Sequence, residues 1–125
     1  MPYSYSKSSL EKLATVHPDL QEIFMEVIKY TDVTIINGYR DKTLQNSLYR
    51  SRISPYQFPE SKHNKQPSLA IDAAPYPIDW DDLNRFYYLA GFVFAIAAIR
   101  GIKIRWGGTF KKFDGPHFEL IEEEE

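Results

Sequence analysis

Two histidines and one aspartate have the residue types of a zinc site. His63 and Asp72 share the segment SKHNKQPSLAID, and His117 follows in DGPHFEL near the end of the sequence. Two imidazoles and one carboxylate make a three-ligand zinc set with a free fourth position. Zinc bound in this way lowers the pKa of a bound water to about 7 and polarises a carbonyl group under attack. The residue types therefore favour hydrolysis of a peptide bond.

Asp114 is the candidate catalytic base, because it precedes His117 in the segment Asp-Gly-Pro-His. A turn through Gly115 and Pro116 can hold its carboxylate near the metal without making it a ligand. In that position it could accept the proton of a water molecule and pass it to the leaving amine, a role worth roughly 10²–10⁴ in rate. The alternative is that Asp114 only caps a hairpin turn.

The three candidate ligands also have ordinary structural explanations. His63 would suit a solvated loop, and His117 would suit a hydrogen-bonded position at the start of a strand. Asp72 is harder to explain in this way, since it lies in the apolar run of residues 69–73, which predicts a strand. Burying a carboxylate there costs several kcal/mol unless it is paired or bound to a metal.

Helices are predicted in the first part of the chain. Ser8 and Glu11 fit a capping box, which predicts a short helix that ends near Ala14. Pro18 begins a second helix, whose apolar residues recur at helical spacing and so face a core. These apolar residues are Leu20, Ile23, Phe24, Val27 and Ile28.

The remaining elements alternate between strands and helices. Residues 33–36 are β-branched and predict a strand that stops at a turn or bulge at Asn37-Gly38. A helix over residues 43–49 and a polar surface loop over residues 51–67 follow, and then the strand that carries Asp72. Residues 102–106 and 117–121 predict an antiparallel pair of strands. The order of these elements indicates the α+β class.

A long helix from near Trp80 to near Arg100 precedes that pair of strands. Its middle is apolar all round, so it is interpreted as a buried helix. The aromatic residues in and before it are interpreted as core rather than as a sugar-stacking platform. They include Tyr76, Trp80, Tyr87 and Tyr88.

Composition limits the class of protein. The 125 residues suit one compact domain over residues 1–125, and 43% hydrophobic residues exclude a disordered chain. A net charge of -2 provides no broad cationic surface, so we expect no nucleic-acid partner. The sequence has no cysteine, so a metal site must use His, Asp and Glu. The longest uncharged run, residues 86–99, is too short to cross a bilayer, and we expect no stable membrane association and no export signal.

Four segments of the sequence together resemble one enzyme family. SKHNKQPSLAID and WGGTFKKFDGPHFEL resemble the Ser-x-His...Asp and Trp-Gly-Gly...Asp/Glu-x-x-His motifs of the M15 zinc peptidases. This family includes D-Ala-D-Ala carboxypeptidases and L-alanyl-D-glutamate endopeptidases. LATVHPDL and NGYRDKTLQNSLY resemble the matching segments of its phage endolysins, in the same order. The resemblance covers most of the chain and implies a Hedgehog/DD-peptidase-like α+β fold, a small antiparallel sheet packed with helices.

The resemblance implies a role for each matching residue. The Zn²⁺ ligands would be His63, Asp72 and His117, and Asp114 would be the catalytic acid/base. Arg40, in Gly-Tyr-Arg, would contact the substrate and steady a developing oxyanion, with an ordinary surface salt bridge as the alternative. Three more residues match positions that line the site: Gln45, Ser61 and Trp106. Trp106 would form the floor of the pocket, with an ordinary place in the core as the alternative.

One spacing departs from the family pattern. The commonest family spacing is His-x6-Asp with a glycine between, whereas eight residues separate His63 from Asp72 here and Pro67-Ser68 replaces the glycine. The two extra residues must loop out if both ligands are to reach one metal. Thr109 also stands where many relatives carry an acid, a difference that concerns substrate recognition more than metal binding.

The resemblance implies a monomeric zinc peptidase that cuts the peptidoglycan stem peptide between L-alanine and D-glutamate. It would be a phage endolysin that collects in the cytoplasm of the infected bacterium and acts on the cell wall after release through a separate membrane pore. One alternative is a D-Ala-D-Ala carboxypeptidase, in which Arg40 could bind the terminal carboxylate. An alternative of another class is a non-catalytic, metal-stabilised module of a phage particle or a wall-binding domain.

Overall fold

The computed structural model describes residues 3–122, which form four α-helices and one four-stranded sheet. In chain order these elements are α1 (Lys7–Leu13), α2 (Pro18–Val27), β1 (Val33–Asn37), α3 (Lys42–Arg50), β2 (Ala70–Pro75), α4 (Leu83–Ile99), β3 (Ile104–Trp106) and β4 (His117–Leu120). Two short 3-10 helices, Lys62–Asn64 and Gly107–Thr109, lie in the connections. The predicted α+β class and the predicted order of elements are confirmed.

The sheet is antiparallel throughout, with the strand order β1-β2-β4-β3. All residues of the inner strand β2 are buried. The register pairs Asp72 of β2 with His117 of β4 on one side and with Asn37 of β1 on the other. The register of β1 shifts between Ile35 and Asn37, which confirms the predicted irregularity before Gly38. The centre of the sheet therefore places two of the candidate ligands side by side.

The helices pack against the sheet and enclose an apolar core. α1 packs on β1, α4 packs on β2 and β3, and α2 packs on α4. Phe24 of α2 meets Phe118 of β4 edge to face, with ring centroids 5.7 Å apart. Complete burial of a side chain of this size contributes roughly 1.5–3 kcal/mol. The predicted core face of α2 is confirmed, since its buried residues are Leu20, Ile23, Phe24 and Val27.

The start of α1 differs from the sequence prediction. The N-cap is Ser6, whose Oγ accepts a hydrogen bond from the amide of Ser9 at 3.1 Å, so the predicted capping box of Ser8 and Glu11 is wrong. The earlier start places Ser9 inside the helix, where it is buried. Its Oγ accepts a hydrogen bond from the amide of Ile35 at 3.0 Å, which ties α1 to β1.

α4 is only half buried, so the prediction of a buried helix is wrong. It begins at Leu83, and its outer face exposes 62% of Tyr88 and 85% of Ile99. Tyr76, Trp80 and Tyr87 are also more than half exposed, which corrects their interpretation as core. Apolar composition did not reveal that only one face of this helix meets the sheet and α2. No helix within residues 3–122, α4 included, is long and apolar enough to cross a membrane. The residues on its inner face are Phe86, Leu89, Ala90, Val93, Ile96 and Ala97.

Candidate metal centre and active site

Three side chains from separate parts of the chain meet in one cluster. His63 comes from the 3-10 helix Lys62–Asn64, Asp72 from β2 and His117 from β4, and one ligand atom of each lies within 4.8 Å of the others. Nε2 of His63 and Nδ1 of His117 each lie 3.3 Å from Oδ1 of Asp72. The exposed fractions of these side chains are 1%, 10% and 12% in chain order. The geometry therefore allows one ion to contact all three.

Hydrogen bonds fix the orientation of the His63 ring. The Oγ atom of Ser61 accepts from the amide of His63 at 3.2 Å, and Oδ1 of Asn64 accepts from the amide of Ser61 at 3.0 Å. Nδ1 of His63 lies 2.8 Å from the carbonyl oxygen of Gly38, which can only accept, so Nδ1 carries the proton. Nε2 then has a free lone pair, and this buried atom has no hydrogen-bond partner in the described part of the chain. A cation would provide that partner.

Gly38, whose carbonyl accepts from the His63 ring, packs closely against the end of α1 and the residues that follow it because it has no side chain. A Cβ atom on residue 38 would lie 2.2 Å from Oγ1 of Thr15 and 2.5 Å from the carbonyl oxygen of Lys12. Both distances are far inside van der Waals contact, so any larger residue would force the backbone away from α1. A glycine at this position therefore keeps the carbonyl oxygen of residue 38 in place to accept the hydrogen bond from His63, a candidate ligand.

The long segment between His63 and Asp72 pairs with the residues before α2. The amide of Ser68 donates to the carbonyl of Thr15 at 3.0 Å, and the amide of His17 donates to the carbonyl of Ser68 at 2.8 Å. The segment therefore loops out between the two ligands, and backbone hydrogen bonds to Thr15 and His17 hold it in place. The longer spacing does not prevent the two side chains from reaching the same cluster.

Arg40 pairs with the second oxygen of Asp72 inside the protein. Nη2 of Arg40 donates to Oδ2 of Asp72 at 2.5 Å, and each side chain is 10% exposed, so this is a buried ion pair and not a surface salt bridge. Burial opposes the charge on Asp72, but His63, His117 and Arg40 outweigh it and hold the pKa of the carboxyl well below its usual value. Asp72 is therefore ionised, with Oδ1 directed toward the histidines.

The backbone of Arg40 also holds the segment that carries His63. Its amide donates to the carbonyl of His63 at 2.8 Å, and its carbonyl accepts from Nδ2 of Asn64 at 3.0 Å. Nε of Arg40 is buried and has no hydrogen-bond partner within residues 3–122. Arg40 thus connects the end of β1 to two candidate ligands and keeps one donor for another group.

Glu119 and Lys62 support the far side of the His117 ring. Nε2 of His117 donates to Oε1 of Glu119 at 2.8 Å, which leaves Nδ1 to face Asp72. Nζ of Lys62 lies 2.9 Å from Oε2 of Glu119 and donates to the carbonyl of Leu120 at 2.7 Å. Burial disfavours the charge on both members of the histidine–glutamate pair. Their hydrogen bonds nevertheless lower the pKa of Glu119 to about 2 and, together with Asp72, raise the pKa of His117 to about 9.

Sequence reasoning missed these two supporting residues. A signal for Glu119 was present, because residues i and i+2 of a strand point to the same face and His117 had been placed on a strand. Lys62 gave no comparable signal, since its contact with β4 exists only when the loop after α3 folds back onto the sheet.

Asp114 lies on the turn before β4, and it is not one of the clustered ligand residues. Its amide donates to the carbonyl of Gly107 at 3.0 Å, and its carbonyl accepts from the amide of His117 at 3.1 Å. Although the residue is exposed, neighbouring atoms exclude enough water from its carboxyl group to raise the pKa, and the charge of Asp72 raises it further. A nearby carboxylate with a raised pKa can both accept and return a proton.

The Trp-Gly-Gly segment shapes the turn that carries Asp114. A Cβ atom on Gly107 would lie 2.2 Å from the carbonyl oxygen of Asp114, and one on Gly108 would lie 2.2 Å from the ring of Trp106. Nε1 of Trp106 donates to the carbonyl of Gly115 at 2.7 Å. Trp106 is 6% exposed, so it holds this turn from within the core.

Gln45 lies on α3, and Ser61 lies in the loop between α3 and β2. Nε2 of Gln45 donates to Oγ of Ser54 at 2.9 Å and to the carbonyl of Tyr56 at 2.8 Å, and its Oε1 accepts from Asn64 at 3.2 Å. Gln45 is fully buried, and Ser61 is 5% exposed. Both shape the segment that carries His63. The burial of Ser54, Ser61 and His63 also corrects the expectation that residues 51–67 form a surface loop throughout.

Comparisons with known proteins show which family and which fold the chain resembles. A family described as phage L-alanyl-D-glutamate peptidase matches residues 1–121. The L-alanyl-D-glutamate peptidase of Escherichia phage T5 is 29% identical over 138 residues, which cover 97% of this chain and 100% of that protein. The crystal structure of the Serratia marcescens L-Ala D-Glu endopeptidase ChiX matches with a TM-score of 0.81 and 28% identity, over 96% of this chain and 92% of that chain.

Proposed function

The chain belongs to the phage L-alanyl-D-glutamate peptidase family, and we propose that it cuts the peptidoglycan stem peptide between L-alanine and D-glutamate as a zinc enzyme. Its relatives support a peptidoglycan hydrolase of this class. The observation that carries the zinc assignment is the cluster of His63, Asp72 and His117, whose ligand atoms lie within 4.8 Å of one another. Two imidazoles and a carboxylate suit zinc better than they suit magnesium or calcium.

The donor set fits zinc once His117 has lost the proton of Nδ1. His63 presents an unpaired Nε2 because its Nδ1 proton is bound by Gly38, and Asp72 is ionised. His117 presents Nδ1 when Glu119 holds the proton of Nε2. Zinc held by these side chains would lower the pKa of a bound water to about 7 and polarise the scissile carbonyl.

Asp114 is the proposed acid/base for both halves of the reaction. Its carboxylate would accept a proton from the attacking water as the new C–O bond forms at the L-alanine carbonyl. It would then donate that proton to the nitrogen of D-glutamate as the C–N bond breaks, so the products are a carboxylate and a free amine. The raised pKa of Asp114 supports this role, because the same group must hold and release the proton near neutral pH.

Arg40 has two proposed contributions. It holds Oδ2 of Asp72, so Oδ1 remains directed at the metal position. Its guanidinium is fixed by Asp72 beside the metal position, which supports the role in steadying an oxyanion that the family resemblance implies. The remaining candidates would act on the substrate only indirectly. Gln45 and Ser61 hold the loop that carries His63, and Trp106 holds the turn that carries Asp114.

We also propose that the chain works as a monomeric, single-domain lysis enzyme that is made in the cytoplasm of an infected bacterium. The phage family and the phage relative support this role. Expression inside bacteria should leave cells intact until the membrane is permeabilised, after which the culture should clear. Gel filtration should give the mass of one 14.6 kDa chain. Lysis without permeabilisation would contradict the cytoplasmic proposal.

Digestion of purified peptidoglycan tests the bond that is cut. Mass spectrometry should detect muramyl-L-alanine ends together with peptides whose new N-terminus is D-glutamate. A chelator should abolish this cleavage, and added zinc should restore it. Release of free D-alanine alone would support a carboxypeptidase instead. Retained zinc with no cleavage of any stem peptide would support the non-catalytic module.

A further inference from the structure

A groove lined by aromatic side chains lies beside Asp114. It is formed by Trp80, Leu83 and Phe86, at and before the start of α4, and by residues 113–116 of the turn before β4. Its volume is about 250 Å³. Trp80 stacks on Phe86 with ring centroids 5.7 Å apart and planes 15° apart, and 55% of Trp80 stays exposed. We call this feature the aromatic groove.

The two parts of the aromatic groove meet at Gly115. A Cβ atom on this residue would lie 2.8 Å from the ring of Phe113 and 3.1 Å from Cγ of Phe86, so both rings pack directly on the turn that follows Asp114. One face of the Trp80 indole packs on Phe86, and more than half of the side chain remains exposed to solvent. A large aromatic surface left in contact with solvent beside a proposed acid/base is suited to contact with substrate.

We propose that the aromatic groove binds the N-acetylmuramyl sugar to which the stem peptide is attached. This proposal rests on the proposed function, because it assumes cleavage after L-alanine. The lactyl group of that sugar is joined directly to the L-alanine whose carbonyl is attacked. The sugar must therefore lie within one residue of the scissile bond, and Asp114, the proposed acid/base for that bond, lines the groove.

The chemistry on the two sides of the scissile bond favours the sugar. The D-glutamate side carries free carboxylates, which gain little from aromatic rings and are repelled by a neighbouring aspartate. The sugar side offers the methyl groups of L-alanine, of the lactyl group and of the N-acetyl group, together with the C–H face of the ring. Small-molecule sites begin at roughly 300 Å³. A groove of about 250 Å³ therefore suits one sugar better than the whole repeating unit.

Two substrates that differ only in the sugar test the proposal. One is an N-acetylmuramyl stem peptide, and the other is the same peptide with an N-acetyl group in place of the muramyl group. The zinc-loaded protein should cleave the first with the higher kcat/KM. Trp80→Ala should lower kcat/KM for the sugar-bearing substrate by roughly tenfold, mainly through KM, and leave the other unchanged. Trp80→Phe should retain most of the preference because it keeps an aromatic face.

Tyr88→Ala is the matched control, since Tyr88 is an aromatic residue on α4 that is 62% exposed and does not line the groove. It should leave both substrates unaffected. Equal losses on both substrates in Trp80→Ala, or no loss on either, would overturn the proposal. Calorimetric binding of N-acetylmuramyl-L-alanine provides a measurement that needs no catalysis. Wild-type binding that Trp80→Ala weakens would support the groove even if the scissile bond proved to be another, and unchanged binding would overturn it.

Discussion

Nε2 of His117 and Oε1 of Glu119 lie 2.8 Å apart on the same face of β4. A carboxylate can only accept a hydrogen bond when it is ionised, and the pKa of Glu119 is lowered to about 2, so the proton stays on the histidine. Nδ1 is then the ring atom available to a metal. The pair therefore decides both the tautomer and the ring orientation of a candidate ligand.

Glu119→Gln should weaken zinc binding by about 10–100-fold, because a neutral amide neither attracts the Nε2 proton as strongly nor pairs with Lys62. Competition with a chromophoric zinc chelator measures the change. Glu60→Gln is the control, since Glu60 is an exposed glutamate in the loop before His63. Equal zinc affinities in the wild type and Glu119→Gln would contradict the supporting role of Glu119.

Zinc affinity should increase with pH up to about pH 9. The pKa of His117 is raised from 6.5 to about 9 in the metal-free protein, so zinc must displace a proton from this ring at lower pH. The apparent affinity should therefore rise by up to about tenfold per pH unit below that value. Chelator competition at several pH values measures the slope, and a flat profile between pH 7 and about 9 would contradict the assignment of His117 as a ligand.

The same raised pKa predicts the opposite trend for the stability of the metal-free protein. A histidine whose pKa is higher in the folded state stabilises that state fully below its unfolded pKa of 6.5 and loses this contribution as the pH rises through about 9. Zinc should therefore raise the melting temperature more at pH 8 than at pH 6. Thermal unfolding with and without zinc, at a fixed excess of metal, provides the comparison.

The sequence alone predicted the order of the elements, because each has a local cause. A continuous run of β-branched residues indicated β1, and the spacing of Leu20, Phe24 and Val27 indicated α2. The candidate ligands were likewise recognisable, since Asp72 was an unexplained carboxylate in an apolar strand. The sheet register then places Asp72 beside His117, which is a consequence of strand pairing that local patterns do not contain.

Features that depend on tertiary contacts could not be predicted. Ser6 and Ser8 are equally good caps by residue type, and only the contact of Ser9 with β1 distinguishes them. The exposed side of α4 is also largely apolar, so composition gave no hint that Tyr88 and Ile99 lie at the surface. The network around Gln45 joins three separate segments, and no spacing rule connects them.

Asp114→Asn should retain zinc and lose activity by about 10²-fold or more, since the amide cannot carry the proton. In the wild type, activity should fall as the pH drops through the pKa of Asp114, which lies above the ordinary value of 3.8. Turnover of a purified stem peptide and metal analysis are measured together. Asp81→Asn, at an exposed aspartate before α4, should be unaffected. Undiminished turnover in Asp114→Asn would exclude this residue as the base.

Arg40→Ala should destabilise the protein by about 3–5 kcal/mol, because it removes the permanently charged partner of the buried Asp72 carboxylate. Urea unfolding of the metal-free protein measures this loss, with Arg50→Ala as the control at an exposed position on α3. Zinc should recover part of the lost stability, since the metal replaces the missing positive charge. A loss below about 1 kcal/mol, as for a surface pair, would contradict the buried ion pair.

His63→Ala and His17→Ala should separate metal binding from helix capping. His63→Ala removes the unpaired Nε2 and should abolish stoichiometric zinc binding, and it should also destabilise the metal-free fold through a buried cavity and the lost hydrogen bond to Gly38. His17 instead caps α2, since its Nδ1 accepts a hydrogen bond from the amide of Asp19 at 3.0 Å. His17→Ala should therefore keep its zinc and lose about 1 kcal/mol of stability, the usual value of an N-cap. Metal analysis after dialysis measures the bound zinc, and urea unfolding measures the stability of each variant. Equal zinc loss in both variants would contradict the assignment of His63 as a metal ligand.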